Sequence, residues 1–317
     1  MSISDKLTTI RNAIKAIKQA IINKGQTPSG DITTYPDAIG NISSGTTLIG
    51  REITEDGVYQ YPSSEFTFTL PSNVTTIGEY AMNASFQNCD TLVSVDLPSI
   101  KEIQDHGLDR CFSNCWLISS INLSNLEKFG YSALRGAFVN CSHVKSVDLS
   151  KLSTLNDNSL DSTFYYCTNL TSVDLSGLTT IPYQGLLSTF NGCQKLTTVN
   201  LNNLTTIGQD GLHQTFQDCE NLTSFSFPSL TQIGDSGLAN TFQGCTNLTS
   251  VSFPALRSDG IPTDSDSSQF NFMLNNVTGC VVHFPSNLEN ILSSWLDVQS
   301  GFMGTSTQIL FDLPATS

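Results

Sequence analysis

Phenylalanine returns every 26 residues through the middle of this chain, at Phe86, Phe112, Phe138, Phe164, Phe190, Phe216 and Phe242. Three positions after each stands a cysteine: Cys89, Cys115, Cys141, Cys167, Cys193, Cys219 and Cys245. Seven copies without insertion or deletion mean one supersecondary unit, repeated. A unit of 26 residues is too short to bury an apolar face alone, so the copies must stack into a solenoid. With strands ~4.8 Å apart, the stack predicts a parallel sheet roughly 35 Å long.

Each copy reads as two pieces. The first is L-x-x-V-x-L, as in Leu170-Val173-Leu175 and Leu196-Val199-Leu201. It reads as a short strand burying alternate residues. A second apolar pair follows, Leu178 and Ile181 or Leu204 and Ile207. The second piece is G-L-x-x-T-F-x-x-C, where Leu212, Phe216 and Cys219 fall at i, i+4 and i+7. That spacing predicts one face of a short helix, with Gly208 and Gly211 where the chain turns into it. The predicted fold class is an α/β solenoid.

The pattern F-x-x-C-x-x-L-x-x-V-x-L-P-x-L-x-x-I-G, clearest from Phe216 to Gly234 and from Phe242 to Leu256, resembles the BspA-like leucine-rich repeats of bacterial surface and gut-associated proteins. The resemblance covers roughly residues 66–256. The extra length over the usual family unit sits in the I-G-x-x-G-L-x-x-T-F stretch. The resemblance implies a leucine-rich repeat array serving as a non-catalytic binding or adhesion scaffold. Fold alone does not assign the partner.

The seven periodic cysteines read as core residues, since Cys is a small, readily buried hydrophobe. Helix packing would hold neighbours ~8–10 Å apart, beyond the ~7 Å Cα limit for a disulfide. Cys111 stands where later copies carry Thr189, Thr215 and Thr241, which reads as a substitution at a semi-buried site. Cys280 lies beyond the array. Largely reduced thiols suit synthesis in a reducing cytoplasm, and the opening Met1-Ser-Ile-Ser-Asp-Lys lacks the order of a signal peptide.

Four segments follow. Residues 86–256 are the array. Residues 46–85 read as an N-terminal cap, with a hairpin around Glu55-Asp56-Gly57 and a half-repeat from Leu70 to Gly78. Residues 257–317 read as a C-terminal cap: a polar loop, a strand at Val281 to Phe284, a helix from Ser286 to Leu296 capped by Ser286 or Asn287, and a last strand from Gln308 to Leu313. There Phe270 arrives two residues late for its column. Asp264 and Asp266 could bind a cation, but they lack the rest of a calcium-loop pattern.

Residues 1–45 differ in kind. Ile3, Leu7, Ile10, Ile14, Ile17 and Ile21 follow a heptad that ends at Gly25 and Pro28. The pattern fits either a helix folding back onto Tyr35 to Ile42 or a self-associating stalk through Leu7, Ile10, Ile14, Ile17 and Ile21. The stretch from Ile14 to Gly25, followed by Tyr35-Pro-Asp-Ala-Ile39, resembles a segment that opens tail and tail-fibre-like proteins of phages and prophages in gut Firmicutes. That resemblance implies attachment to a larger assembly, with virion release as a route outside.

Little points to chemistry. The net charge of −14 is a poor match for nucleic acid or an anionic membrane, and no apolar run reaches the ~18 residues of a membrane span. The charge is divided. Residues 1–24 carry five basic residues against Asp5, giving +4, and the remaining 9 basic and 27 acidic residues give −18. His106, His143, His213 and His283 form no metal-binding or nucleophile motif. His106 and His213 read as solvated residues on the helical side. No phosphate-binding loop is present, and no cofactor or enzymatic activity is expected. Catalysis would break the repeat symmetry at one point, and no such break is expected within the array.

A binding face is the better candidate. The residues flanking the central Val point outward. One column runs Ser94, Ser120, Ser146, Ser172, Thr198; the next runs Asp96, Asn122, Asp148, Asp174, Asn200. These groups could engage a glycan, or simply bond one another and water along the sheet. A protein partner would favour aromatic anchors, which points to Trp116, Tyr165 and Tyr166 beside F-x-x-C.

Overall fold

The computed structural model describes residues 52–53, 59–60, 64–70, 72–261, 268–296 and 306–316. The heptad residues, Asp264 and Asp266 lie outside them.

The L-x-x-V-x-L segments form strands at Leu92–Asp96, Ser120–Asn122, Ser146–Asp148, Ser172–Asp174, Thr198–Asn200, Ser224–Ser226 and Ser250–Ser252. They pair in parallel and in register in three bonded groups, divided after Ser120–Asn122 and after Thr198–Asn200: in the middle group Ser172 lies opposite Ser146 and Thr198, and Val173 opposite Val147 and Val199. Strand alternation buries Val173 and exposes Ser172. The same ladder extends beyond the seven copies. Phe66–Thr69 pairs in parallel with Leu92–Asp96, and Val281–Pro285 and then Gln308–Leu313 follow Ser250–Ser252. Before it, Glu52–Ile53 pairs antiparallel with Tyr59–Gln60, the expected hairpin.

The Ile-Gly segments make a second, shorter parallel ladder. Thr76–Ile77, Glu102–Ile103 and Lys128–Phe129 form one group, and Thr180–Ile181, Thr206–Ile207 and Gln232–Ile233 another. Between the groups this ladder is reduced to one bridge, Lys128 to Thr154. The glycines at this corner are needed for close approach. A Cβ on Gly234 would fall 2.7 Å from the backbone of Gly208 in the coil before.

The third side is not the helix that the i, i+4, i+7 spacing predicts. It is a ribbon of consecutive turns. Alternate N–H groups close i→i−3 turns, as Ala81 to the Gly78 carbonyl (3.1 Å) and Cys89 to that of Phe86 (3.1 Å). The N–H groups between them reach the next coil, as Met82 to Gly107 (3.0 Å) and Phe86 to Cys111 (2.9 Å). Every fourth residue is left-handed: Tyr80 (φ 53), Ala84 (φ 52) and Asn88 (φ 63) in one coil, His106, Arg110 and Asn114 in the next. An α-helix would keep all its N–H groups for itself. The ribbon accepts left-handed strain of ~1–2 kcal/mol at such residues and in return bonds each coil to its neighbour.

This changes the geometry of the cysteines. Hydrogen-bonded coils lie at strand spacing, ~4.8 Å, so the ~8–10 Å of packed helices does not separate the thiols. All nine are free and buried. From Cys115 onward, each thiol of the column donates to the phenylalanine carbonyl of the coil before: Cys115 to Phe86 (3.0 Å), Cys193 to Phe164 (3.2 Å), Cys245 to Phe216 (3.0 Å). Cys111 is fully buried rather than semi-buried, as are Thr163, Thr189, Thr215 and Thr241 in its column. A hydroxyl is tolerated there because it too meets a carbonyl, as Thr215 does that of Leu186 at 2.7 Å.

Inside, the periodic phenylalanines form one offset stack. Centroids from Phe86 to Phe242 are 5.3–5.8 Å apart, with planes 3–17° from parallel. A second stack, Phe227, Phe253 and Phe284, has 5.2 Å steps. Phe270 belongs to neither. Leu238 donates to the Gln269 carbonyl and Phe242 to that of Met273. Phe270 therefore continues the Leu238 column and Leu274 the phenylalanine column, so the insertion before Phe270 is longer than a two-residue lag suggests. Beyond it, Ser286–Leu288 is a 3-10 turn, and the α-helix is Glu289–Leu296. Pro285 precedes the 3-10 turn without a side-chain bond. Asn287 clasps Thr316, receiving its backbone N–H at 3.1 Å.

Candidate binding face

The two outward columns lie on the wide ladder as expected, but part of their bonding capacity is used internally. In the acidic column, one side-chain oxygen accepts the N–H two residues on. Asp148 receives Ser150 N–H (3.0 Å) and its hydroxyl (2.7 Å), Asp174 receives Ser176 N–H (2.9 Å), and Asn200 receives Asn202 N–H (3.3 Å). These Asx turns bend the chain away from the strand. Hydrogen bonds from Ser150, first its backbone N–H and then its hydroxyl, hold the Asp148 carboxyl below its ordinary range. Along the ladder, the Asn122 amide donates to Asp96 (2.7 Å), and the Thr67 and Ser94 hydroxyls meet at 2.7 Å. Ser120, Ser146 and Ser172 remain exposed.

Six of the singled-out residues share one shallow depression. Ser146, Asp148, Ser172 and Asp174, with Thr198 and Asn200, line a groove of about 460 Å³. Ser94, Asp96, Ser120 and Asn122 lie in the preceding bonded group of strands, in earlier coils.

The aromatic rim is only partly assembled. The Tyr165 and Tyr166 rings meet at 4.7 Å. A Cβ on Gly192 would lie 3.1 Å from the Tyr166 ring, so glycine there lets the ring rest on the next coil. Burial raises the Tyr165 phenol, with smaller contributions from Tyr166 and Asp218. Trp116 is 59% exposed but stands two coils away, roughly 10 Å by ladder spacing.

The symmetry break absent from the sequence reading is present in the structure. Asp109 is buried and takes a two-pronged bond from Arg135, Nη2 at 2.7 Å and Nε at 3.3 Å. That bond raises the Arg135 guanidinium. His106 Nδ1 faces the same carboxylate at 3.2 Å. Its ring lies between Tyr80 (4.7 Å, stacked) and Tyr131 (5.4 Å, edge-on), so it is not simply solvated. One step on, burial raises the carboxyl of Asp161. The signal was readable in register: position by position the copies carry Asn83, Asp109, Arg135, Asp161 and Leu187. Among the described residues, no group of three or more His, Cys, Asp or Glu could hold a metal ion, and no helix is long and apolar enough to cross a membrane.

The BspA type leucine-rich repeat region matches residues 52–183 and 160–296, in six copies. The chain belongs to the BspA-type leucine-rich repeat family. This BspA-type chain is also similar to solved structures. A leucine-rich repeat protein from Bacteroides ovatus is 22% identical over 77% of this chain and 83% of its own, with a TM-score of 0.28. A leucine-rich cell surface protein from Faecalibacterium prausnitzii is 14% identical over 86% and 96%, with a TM-score of 0.23. The pneumococcal vaccine antigen PcpA is 15% identical over 78% and 89%, with a TM-score of 0.29. These likenesses are distant, and the family assignment rests on the repeat match. No curated protein matches the chain.

Proposed function

We propose that this chain is a non-enzymatic recognition or adhesion protein, presenting its repeat face to a protein or glycan on a cell surface. The observation that supports this most is the groove of about 460 Å³ on the wide ladder, where stacked hydroxyl, carboxylate and amide groups stay open beyond their internal bonds. The resemblance of residues 14–39 to phage tail openings adds attachment to a tail or surface assembly through the N-terminal segment. The fluorescently labelled full chain should bind a subset of cells in a flow-cytometry panel. The triple variant Asp148→Ala, Ser172→Ala and Asp174→Ala should lose that binding. Unchanged binding removes the strand face as the site.

A second reading, a spacer that binds nothing specific, is favoured by the Asx turns and cross-coil bonds that occupy part of this face. Absence of binding to any cell type would support it. Oligomerisation through Leu7, Ile10, Ile14, Ile17 and Ile21 is tested by light scattering of the full chain against one lacking residues 1–45. A monomer in both cases rejects the stalk. Flanking tail or lysis genes would establish the phage setting.

A further inference from the structure

The second ladder fails at one coil. Where the other copies carry Ile77, Ile103, Phe129, Ile181, Ile207 and Ile233, this one has Leu155, and within this ladder only the bridge from Lys128 to Thr154 pairs it with the coil before. A groove of about 430 Å³ opens there, lined among others by Glu79, Glu102, Asp105, Lys128, Thr154 and Asn156. It is built rather than incidental. A Cβ on Gly130 would fall 2.4 Å from Asp105 Oδ1, so glycine leaves that carboxylate its place. The Tyr131 N–H then fixes Asp105 Oδ1 at 2.8 Å.

Three rings come one residue after its lining. Tyr80 follows Glu79, His106 follows Asp105, and Tyr131 follows Gly130. His106 bridges the two tyrosines and is braced from behind by the Asp109–Arg135 pair. Tyr80 is 53% and Tyr131 45% exposed, whereas the periodic phenylalanines of the array are stacked in the core. Tyr183 occupies the column of Tyr131 two coils on, roughly 10 Å further, and is also exposed.

Carboxylates accept hydroxyl protons, and the amides of Gln104 and Asn156 both donate and accept. An exposed tyrosine gives a flat face for the C–H side of a pyranose ring with a polar tip. A peptide hot spot would want an apolar pocket for a large anchor, and this lining is mostly polar. Three carboxylates against one lysine repel anionic sugars and tolerate an amine, which the tyrosine faces also attract.

We propose that this groove binds a neutral or amino-bearing oligosaccharide, with one ring on Tyr131 and its hydroxyls held by Glu102, Asp105 and Asn156. The proposal rests on the recognition reading but names a different site from the strand face. The test is a glycan array probed with the full chain, carrying neutral, amino-bearing and anionic oligosaccharides, chitin, chitosan and hyaluronan oligomers among them. Neutral or amino-bearing members should bind and anionic ones should not. Tyr131→Ala and Glu102→Gln should each weaken binding at least about tenfold, with melting temperatures near that of the parent chain. Tyr131→Phe should bind within about twofold of it. Binding confined to anionic glycans, or unchanged in Tyr131→Ala and Glu102→Gln, overturns the proposal. A chain that still adheres to cells while binding no array glycan also overturns it, leaving the recognition reading in place with a protein partner.

Discussion

At the turn ribbon, single carbonyls serve two donors. The Leu186 oxygen accepts the Thr189 N–H at 3.2 Å and the Thr215 hydroxyl at 2.7 Å. Removing the hydroxyl leaves no orphan, since the carbonyl keeps its backbone donor. Thr215→Val should therefore cost only about 1 kcal/mol in urea unfolding; a loss of ~3 kcal/mol would mean the hydroxyl does more than fill the second lone pair. Asp148 offers a second residue-scale check. Its folded-state pKa is depressed by bonds from Ser150, so its contribution is present above the unfolded value of ~3.9 and fades as pH falls through the lowered one. NMR titration of its carboxyl carbon should show a midpoint below ~3.9, and Asp148→Asn, which keeps the acceptor, should flatten this part of the acid limb. A midpoint at or above that value contradicts the Asx-turn account. The outward placement of Asp148 was legible because strand alternation fixes it. Its bond to Ser150 was missed because the motif D-L-S was read for its outward face and not for its turn.

Cysteine on the ribbon side acts as an element, a column and not a set of sites. Burial pushes the thiols of Cys111, Cys141, Cys167, Cys193, Cys219 and Cys245 up, and that of Cys280 to about 11. Raised folded values mean that the stability is fully present below the unfolded thiol pKa of ~8.5 and is lost as pH rises above it. Each such thiol contributes a slope of about 1.4 kcal/mol per pH unit there. The urea midpoint should fall steeply between about pH 8.5 and 10, and replacing Cys167 and Cys193 by Ala should make that fall shallower. An equal slope in the variant would remove the column as its cause. The core role of these residues was legible from periodicity. The helix was not ruled out, because i, i+4, i+7 burial suits both a 3.6-residue helix and a four-residue ribbon. The deciding signal was the residue before each cysteine: Asn88, Asn114, Asn140, Gly192, Asp218 and Gly244 tolerate left-handed backbone, and Tyr166 alone in that row does not favour it.

At the scale of the molecule, every coil contacts mainly its two neighbours, so stability is close to a sum of coil and interface contributions. A defect in the middle should then uncouple two halves, whereas the same defect at an end should shorten one. Phe190 stacks on Phe164 and Phe216, both at 5.8 Å, and is fully buried. Phe86 lies near the N-terminal end of the same stack, packed against Phe68 at 4.8 Å and Phe112 at 5.5 Å. Either change to Ala should cost about 3–5 kcal/mol of local packing. By hydrogen exchange, Phe190→Ala should lower protection in the coils on both sides of the cavity and broaden or split the unfolding transition. Phe86→Ala should lower protection in the first coils and leave those around Cys219 and Cys245 close to the parent. Equal loss throughout in both variants would show that the chain unfolds as one block, and the coil-by-coil account of the array would have to be abandoned.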